Sequence, residues 1–371
     1  MELTLSRYSS PGPLVCAIGP LAMLLMLGTA NAEPAKPMDP ANSILDAFKT
    51  HDVVALGEGS HGNEQGAALR MKLYRDPRFQ AVVRDIVVEC GNGRHQAMMD
   101  RYLLDLAEVP EKELRLAWLE TTQPNDVWDT AIYAEMFHAI RDLNKTLPKE
   151  KRLRILLGDT PYDPRTAGSR LSRSDEFPAR LIQTEVLAKK RKALIVYGDM
   201  HLLRRREVDF AAPGVLGSES IVDLLDKAGV KVFSIWTAVR GDELVALQAE
   251  VASWPQPSLA LLKGTPLGQA PFMAYYPKGA GMFTRRGPDG KMVTQDVGES
   301  IGGIMQDRFD AVIYLGPSAA ITYSKTPKAL CADPDYVAMR AARLAVMRSF
   351  GDGPSPADEF RAWCKTIADG P

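Results

Sequence analysis

The chain has 371 residues, a formal net charge of −1, 46% hydrophobic and 25% charged residues. Such a composition supplies a sizeable globular core and speaks against both disorder and membrane embedding. The near-zero charge gives no bulk field that would draw the chain to nucleic acid or anionic lipid.

In chain order, Arg7 precedes an apolar run from Leu14 to Leu27, and Ala30 and Ala32 form an A-x-A cleavage pattern. This predicts a signal peptide over residues 1–32 and a mature start near Glu33, hence a periplasmic or secreted protein. An N-terminal anchor is the alternative, but Gly19 and Pro20 interrupt a run shorter than the ~20 residues a spanning helix needs. No stable membrane insertion is expected after cleavage. Cys16 opens the apolar run rather than following it, which argues against a lipoprotein site.

A Pro-rich linker and a first helix fill residues 33–50, and residues 51–371 are read as one α/β domain. Apolar runs of strand length alternate with helical patterns, the signature of βαβ units and a largely parallel central sheet flanked by helices. The predicted strands are Val53 to Leu56, Ile86 to Val88, Leu153 to Leu157, Ala193 to Tyr197, Val232 to Ile235 and Ala311 to Leu315. Apolar spacing predicts helices over Glu64 to Arg75, Arg94 to Leu106, Glu111 to Leu119, Val127 to Leu143, Phe177 to Lys190, Ile221 to Lys227 and Asp335 to Phe350. Between residues 253 and 298 repeated Pro and Gly mark a loop-rich insertion, with Gly287-Pro288-Asp289-Gly290 joining two short strand-like pieces. It reads equally as a lid, a binding rim or a plain surface excursion. Arg204, Arg205 and Arg206 read as a solvated loop, with anion binding the alternative.

Cys90, Cys331 and Cys364 follow the leader. Cys331 and Cys364 flank the C-terminal helical stretch and are the natural disulfide pair in an oxidising compartment. Cys90 directly follows a buried-looking strand and reads as a small core residue rather than a nucleophile.

Strand ends repeat a Gly-then-polar pattern: Gly57-Glu58, Gly158-Asp159 and Gly198-Asp199, with Gly316-Pro317 lacking the acid and Glu89 closing another strand. Ligands of open α/β sheets bind beyond the carboxyl ends of the strands. One acid there is most simply a helix cap; several converging on one edge point to a site. The densest segment is Gly57-Glu58-Gly59-Ser60-His61-Gly62-Asn63-Glu64. A carboxylate beside a histidine fixes its tautomer and raises its basicity, which suits a general base acting on water. The plain alternative makes Ser60 or Asn63 a helix cap, leaves His61 on the surface, and gives Glu64 only to the helix N-terminus. His201, in Gly198-Asp199-Met200-His201, should face the same edge, with Asp159 and Asp199 as supporting acids. Two histidines and acids admit a metal site, or metal-free chemistry with His61 as base and His201 as hydrogen-bond donor or acid. No HExxH, CxxC, Gly-x-Ser-x-Gly, P-loop or Gly-x-Gly-x-x-Gly spacing favours metal, acyl-enzyme or nucleotide chemistry. His51, His95 and His138 read as structural.

The segment Val53 to Glu64 resembles the Gly-Glu-x-(Ser/Thr)-His-Gly-x-x-Glu motif of erythromycin esterases. Arg70 and Glu89 stand where that family has an Arg and a Glu, and His201 is similar to its later active-site histidine. The resemblance covers roughly Asp52 to Leu104 and, more weakly, Leu153 to Asp159 and Ala193 to His201. It implies metal-independent hydrolysis of a cyclic ester, with His61 activating water, Glu58 and Glu89 orienting it, Arg70 pairing with a carboxylate and His201 assisting. It also brings the chain near a wider group of haem-binding ChaN-like lipoproteins and TraB/TIKI-type proteins. Three classes therefore stand at the sequence level: an esterase or lactonase acting on a small molecule without cofactor, a metal-dependent hydrolase, and a haem or small-ligand binder.

Overall fold

The computed structural model describes residues 33–123, 125–164, 175–204, 219–238, 250–272, 282–286, 292–296, 302–345 and 354–370, with 282–286 and 292–296 described as backbone only. The predicted leader, with Arg7, Ala30 and Ala32, lies outside them, as do Arg205, Arg206 and the 287–290 turn. Residues 33–371 form one unit.

The chain is an α/β protein. Its strands are β1 (Val53–Gly57), β2 (Asp85–Asn92), β3 (Arg154–Asp159), β4 (Ala193–Tyr197), β5 (Val232–Ala238), β6 (Ser258–Leu261), β7 (Met282–Arg286), β8 (Met292–Asp296) and β9 (Ala311–Tyr314). Seven of them make one sheet in the order β3-β2-β4-β1-β5-β9-β6, parallel throughout except for β6 against β9. Runs of Val, Ile and Leu suit strands buried on both faces. Alternation divides them: Val54, Leu56, Ile86 and Val88 join one apolar layer, and Val53, Ala55, Val87 and Ile195 join the other. The first layer packs beneath the Glu64–Arg75, Ala131–Lys145 and C-terminal helices, the second beneath the 176–186 and 221–227 segments. Because β3, β2, β4 and β1 are neighbours, Asp159 at the end of β3, Glu89 within β2, which runs on to Asn92 rather than closing at Val88, and the loops carrying His201 and His61 lie side by side.

Several predicted boundaries are corrected. The 253–298 stretch is not all insertion, since Ser258–Leu261 is the antiparallel edge strand of the main sheet; a strand of four residues is too short to show a strand pattern. The two strand-like pieces do form a hairpin, β7 with β8. The Glu111 to Leu119 helix is two single turns, Glu111–Leu114 and Leu116–Leu119. Arg94 to Leu106 opens as a 3-10 turn, because the Asn92 side chain accepts from Arg94 N, and its α-helix ends at Leu103 ahead of the left-handed Leu106. Phe177 to Lys190 is an α-helix to Leu181, a π turn over Ile182–Val186 and a 3-10 turn to Lys189. The π turn keeps Ile182 and Val186 both buried against the sheet. Arg204 is no solvated loop residue: it donates to Asp310 at 2.8 Å and to Asp226 at 3.2 Å.

At the C-terminus the Pro334–Leu344 helix starts on an Asp333 cap and the Pro356–Asp369 helix, unforeseen in the sequence, on a Ser355 cap. Cys331 and Cys364 are disulfide-bonded, with Cα atoms 5.0 Å apart, and Cys90 is free and buried. From the first of these helices Arg340 and Tyr336 bind the buried Asp129, and Arg343 donates to the carbonyls of Leu119, Thr121 and Gln123. They hold the 119–129 loop against the sheet edge.

Candidate active site

The site begins where β1 ends. Gly57 has no room for a side chain, since a Cβ there would lie 1.8 Å from Asp199 Oδ1. Gly59 and Gly62, at φ +68° and +82°, turn the loop back toward the helix. Asn63 then locks it: its Oδ1 accepts from Gly66 N at 2.7 Å, capping the Glu64–Arg75 helix, and its Nδ2 donates to Glu58 O at 2.8 Å. The cap reading of Asn63 is therefore realised.

Glu58 is the hub. Arg70 Nη2 donates to its Oε1 at 2.9 Å, Tyr133 Oη donates to the same oxygen at 3.2 Å, and His61 Nδ1 lies 2.8 Å from Oε2. Burial pushes the Glu58 carboxyl up, but the Arg70 charge and the His61 hydrogen bond outweigh it and hold it below the usual carboxylate range. For His61 burial works downward, yet the Glu58 hydrogen bond and the Glu89 and Glu58 charges raise it above an ordinary imidazole. The ring stands edge-on to Trp128, centroids 4.6 Å apart.

The second histidine sits in the 3-10 turn Asp199–His201 that follows β4. Its Nδ1 lies 2.6 Å from Asp175 Oδ1 and its Nε2 3.4 Å from Glu89 Oε1. Against the cost of burial, the carboxylates of Glu89 and Asp175 push His201 up to about 10, so it is a cation at neutral pH. Glu89, whose Oε2 accepts from Gly198 N at 2.8 Å, is held far below the carboxylate range: the His201 and His61 charges outweigh its burial. A Cβ on Gly198 would sit within 3.4 Å of both His61 Nε2 and Glu89 Oε2. Those two atoms thus share the face that Gly198 leaves open.

The structure gathers Glu58, His61, Arg70, Glu89 and His201. Asp159 borders the same cleft, its carboxylate held by Thr122 N at 2.6 Å and Thr122 Oγ1 at 2.5 Å. Asp199 turns to the backbone, accepting from Thr237 N at 3.2 Å, and burial pushes its carboxyl up to about 7. Glu64 is exposed and meets Thr322 Oγ1 at 2.5 Å, so it does not support the site. His51, His95 and His138 bind Ala47 O, Glu120 and Tyr102 respectively. The Cys90 thiol is raised by burial well above its ordinary value, which suits a core residue. Among the described residues no cluster of three or more His, Cys, Asp or Glu is disposed to hold a metal ion, and no helix is long and apolar enough to cross a membrane.

Sequence reasoning missed Tyr133, Asp175, Trp128 and Tyr197. Tyr133 and Tyr197 sit in helical and strand patterns as core residues would, Trp128 falls within the predicted Val127 to Leu143 helix, whose observed start is Ala131, and Asp175 just precedes the Glu176–Leu181 helix. Only their type, polar groups on large or acidic side chains, was visible.

No family model and no curated protein matches the chain. Among solved structures, it is similar to one named as a succinoglycan biosynthesis protein, with 11% identity, a TM-score of 0.52, and 80% of this chain and 95% of that chain covered. A Bacillus cereus protein structure is similar at 13% identity and a TM-score of 0.45, covering 79% of this chain and 97% of its own. The first likeness bears on the fold, which both chains share over most of their length.

Proposed function

We propose that the protein hydrolyses an ester or lactone bond of a small molecule with a water activated by His61, without a resident metal. The observation that carries this reading is the chain Arg70–Glu58–His61. Glu58 stays ionised and accepts from Nδ1, so neutral His61 presents its Nε2 lone pair beside Glu89 and Gly198. Nε2 takes a proton from water as the oxygen adds to the carbonyl carbon, and the carbonyl electron pair moves onto its oxygen. Glu58 and Glu89 stabilise the imidazolium so formed. When the tetrahedral intermediate collapses, the pair returns, the ester C–O bond breaks, and His61 gives the proton to the departing alkoxide. His201, cationic and bound to Asp175, serves as an electrostatic partner in the same cleft. The resemblance of the Val53–Glu64 segment to erythromycin esterases supports the same chemistry.

We further propose export to an oxidising compartment, supported by the Cys331–Cys364 disulfide and the leader pattern. An ester and lactone screen with wild type and His61→Ala, before and after dialysis against a strong chelator, tests the catalytic reading. Turnover that resists chelation and depends on His61 is expected. Turnover lost on chelation and restored by one divalent metal would overturn it.

A further inference from the structure

Six buried side-chain polar atoms have no hydrogen-bond partner among the described residues. Two of them, Asp85 Oδ2 and Arg191 Nε, are 2.8 Å apart in an ion pair at the far end of the sheet. The other four, Tyr74 Oη, Trp128 Nε1, Thr130 Oγ1 and Tyr197 Oη, all belong to the surroundings of Glu58, His61, Glu89 and His201. A buried donor left unpaired carries its full desolvation penalty, and native structures keep few of them. Four of the six thus gather around one place.

Trp128 and Tyr197 share the cleft that also contains Glu89, Asp159, Asp175 and His201. Trp128 is 1% and Tyr197 3% exposed. Each ring packs on one of the two histidines: Trp128 edge-on to His61 at 4.6 Å, Tyr197 edge-on to His201 at 5.7 Å. The indole N–H only donates, and burial keeps the Tyr197 phenol protonated at any working pH. The hydroxyl reaches this position because residue 158 is glycine, whose Cβ would otherwise lie 1.9 Å from it.

We propose that Trp128 Nε1–H and Tyr197 Oη–H bind the carbonyl oxygen of the substrate and hold the negative charge it gains when water adds. The inference rests on the hydrolase reading and names the groups that grip the scissile carbonyl. Donors fixed in advance and shielded from water cost no reorganisation at the moment of reaction, which is why their removal is expensive. Removing the unpaired hydroxyl should leave folding unharmed or improve it, whereas a hydroxyl with a structural role would lose stability.

The test uses the exported protein with ε-caprolactone for turnover and ε-caprolactam, which keeps the carbonyl acceptor but hydrolyses far more slowly, for binding. The five tryptophans give five indole N–H correlations in a nitrogen-15 spectrum, and Trp128→Phe assigns the relevant one. Expected are a saturable shift of the Trp128 signal with lactam, weaker lactam binding in Tyr197→Phe, and a roughly 10²-fold lower kcat in that variant with an unchanged or raised Tm. His61-dependent turnover with no Trp128 shift and a wild-type rate in Tyr197→Phe would overturn the donor pair while leaving the hydrolase reading intact. A Trp128 shift without lactone turnover would support the acceptor site and overturn lactone hydrolysis. Neither signal would overturn both.

Discussion

The two ends of the central sheet both bury charge, and they use it differently. At the amino ends of the strands Arg191 closes on Asp85 at 2.8 Å, and Lys192 closes on Asp52 and on the carbonyls of Phe48 and His51. Arg191 and Lys192 thus have fixed protein partners there and tie helix ends to strands. At the carboxyl ends the carboxylates of Glu58 and Asp175 occupy the Nδ1 side of each histidine, while His61 Nε2 faces the gap beside Gly198, and Tyr74, Trp128 and Tyr197 have donors without a partner among the described residues. Burial and ion pairing are common to both ends. Unused hydrogen-bonding capacity is what separates a site from a brace.

The sharpest way to break this contrast is to exchange losses between the two ends. His61→Ala should lower kcat by about 10² to 10⁴-fold with little change in Tm, since a general base is worth that much and the partly exposed ring contributes little to the core. Arg191→Ala should do the reverse, lowering stability by about 1–3 kcal/mol, discounted for its partial exposure, with a rate within about twofold of wild type. Steady-state kinetics and thermal melts of both variants decide it; a catalytic loss in Arg191→Ala would show that the ends are not independent.

Next in size is the disulfide. Replacing Cys331 and Cys364 by Ala should cost roughly 4 kcal/mol by loop entropy. In the wild-type chain freed of residues 1–32, thiol titration after denaturation should find one reactive cysteine, Cys90.

The pH response separates the two histidines. The acid limb of the rate belongs to His61 and should rise with pH through an apparent pKa above the ~6.5 of a free imidazole. His201, raised to about 10, contributes stability that is full below the unfolded imidazole pKa and is lost as pH climbs through about 10. Glu58 and Glu89 run the other way: their folded pKa values are depressed, so their contribution is present above ~4.3 and fades on acidification. Melts across this range on wild type and His201→Asn should show the alkaline loss only in wild type. The smallest effect expected is that of Gly198→Ala, whose methyl would press on His61 Nε2 and Glu89 Oε2 and should reduce kcat about tenfold with Tm nearly unchanged.

The parts of the site legible in the sequence were those fixed by local geometry. A glycine turn after a buried strand sets Glu58 and His61 at its tip, and helical spacing brings Arg70, twelve residues on, back to the Glu58 carboxylate. Glu89 and His201 follow from parallel register, because β2, β4 and β1 are adjacent. Asp175, Tyr133 and Trp128 reach the site from segments whose own pattern reports only a helix or an irregular loop. Their role exists only in the tertiary arrangement. The edge strand β6 was hidden for a related reason: it borrows its conformation from β9, and four residues carry too little period of their own.

The C-terminal bracing links the disulfide to the wall beside His61. The Pro334–Leu344 helix, enclosed in sequence between Cys331 and Cys364, carries in Tyr336, Arg340 and Arg343 the side chains that bind Asp129 and the carbonyls of Leu119, Thr121 and Gln123 in the 119–129 loop. Trp128 stands at the end of that loop, between the anchored Asp129 and His61. The covalent staple thus closes the segment whose helix anchors Asp129, the residue next to Trp128.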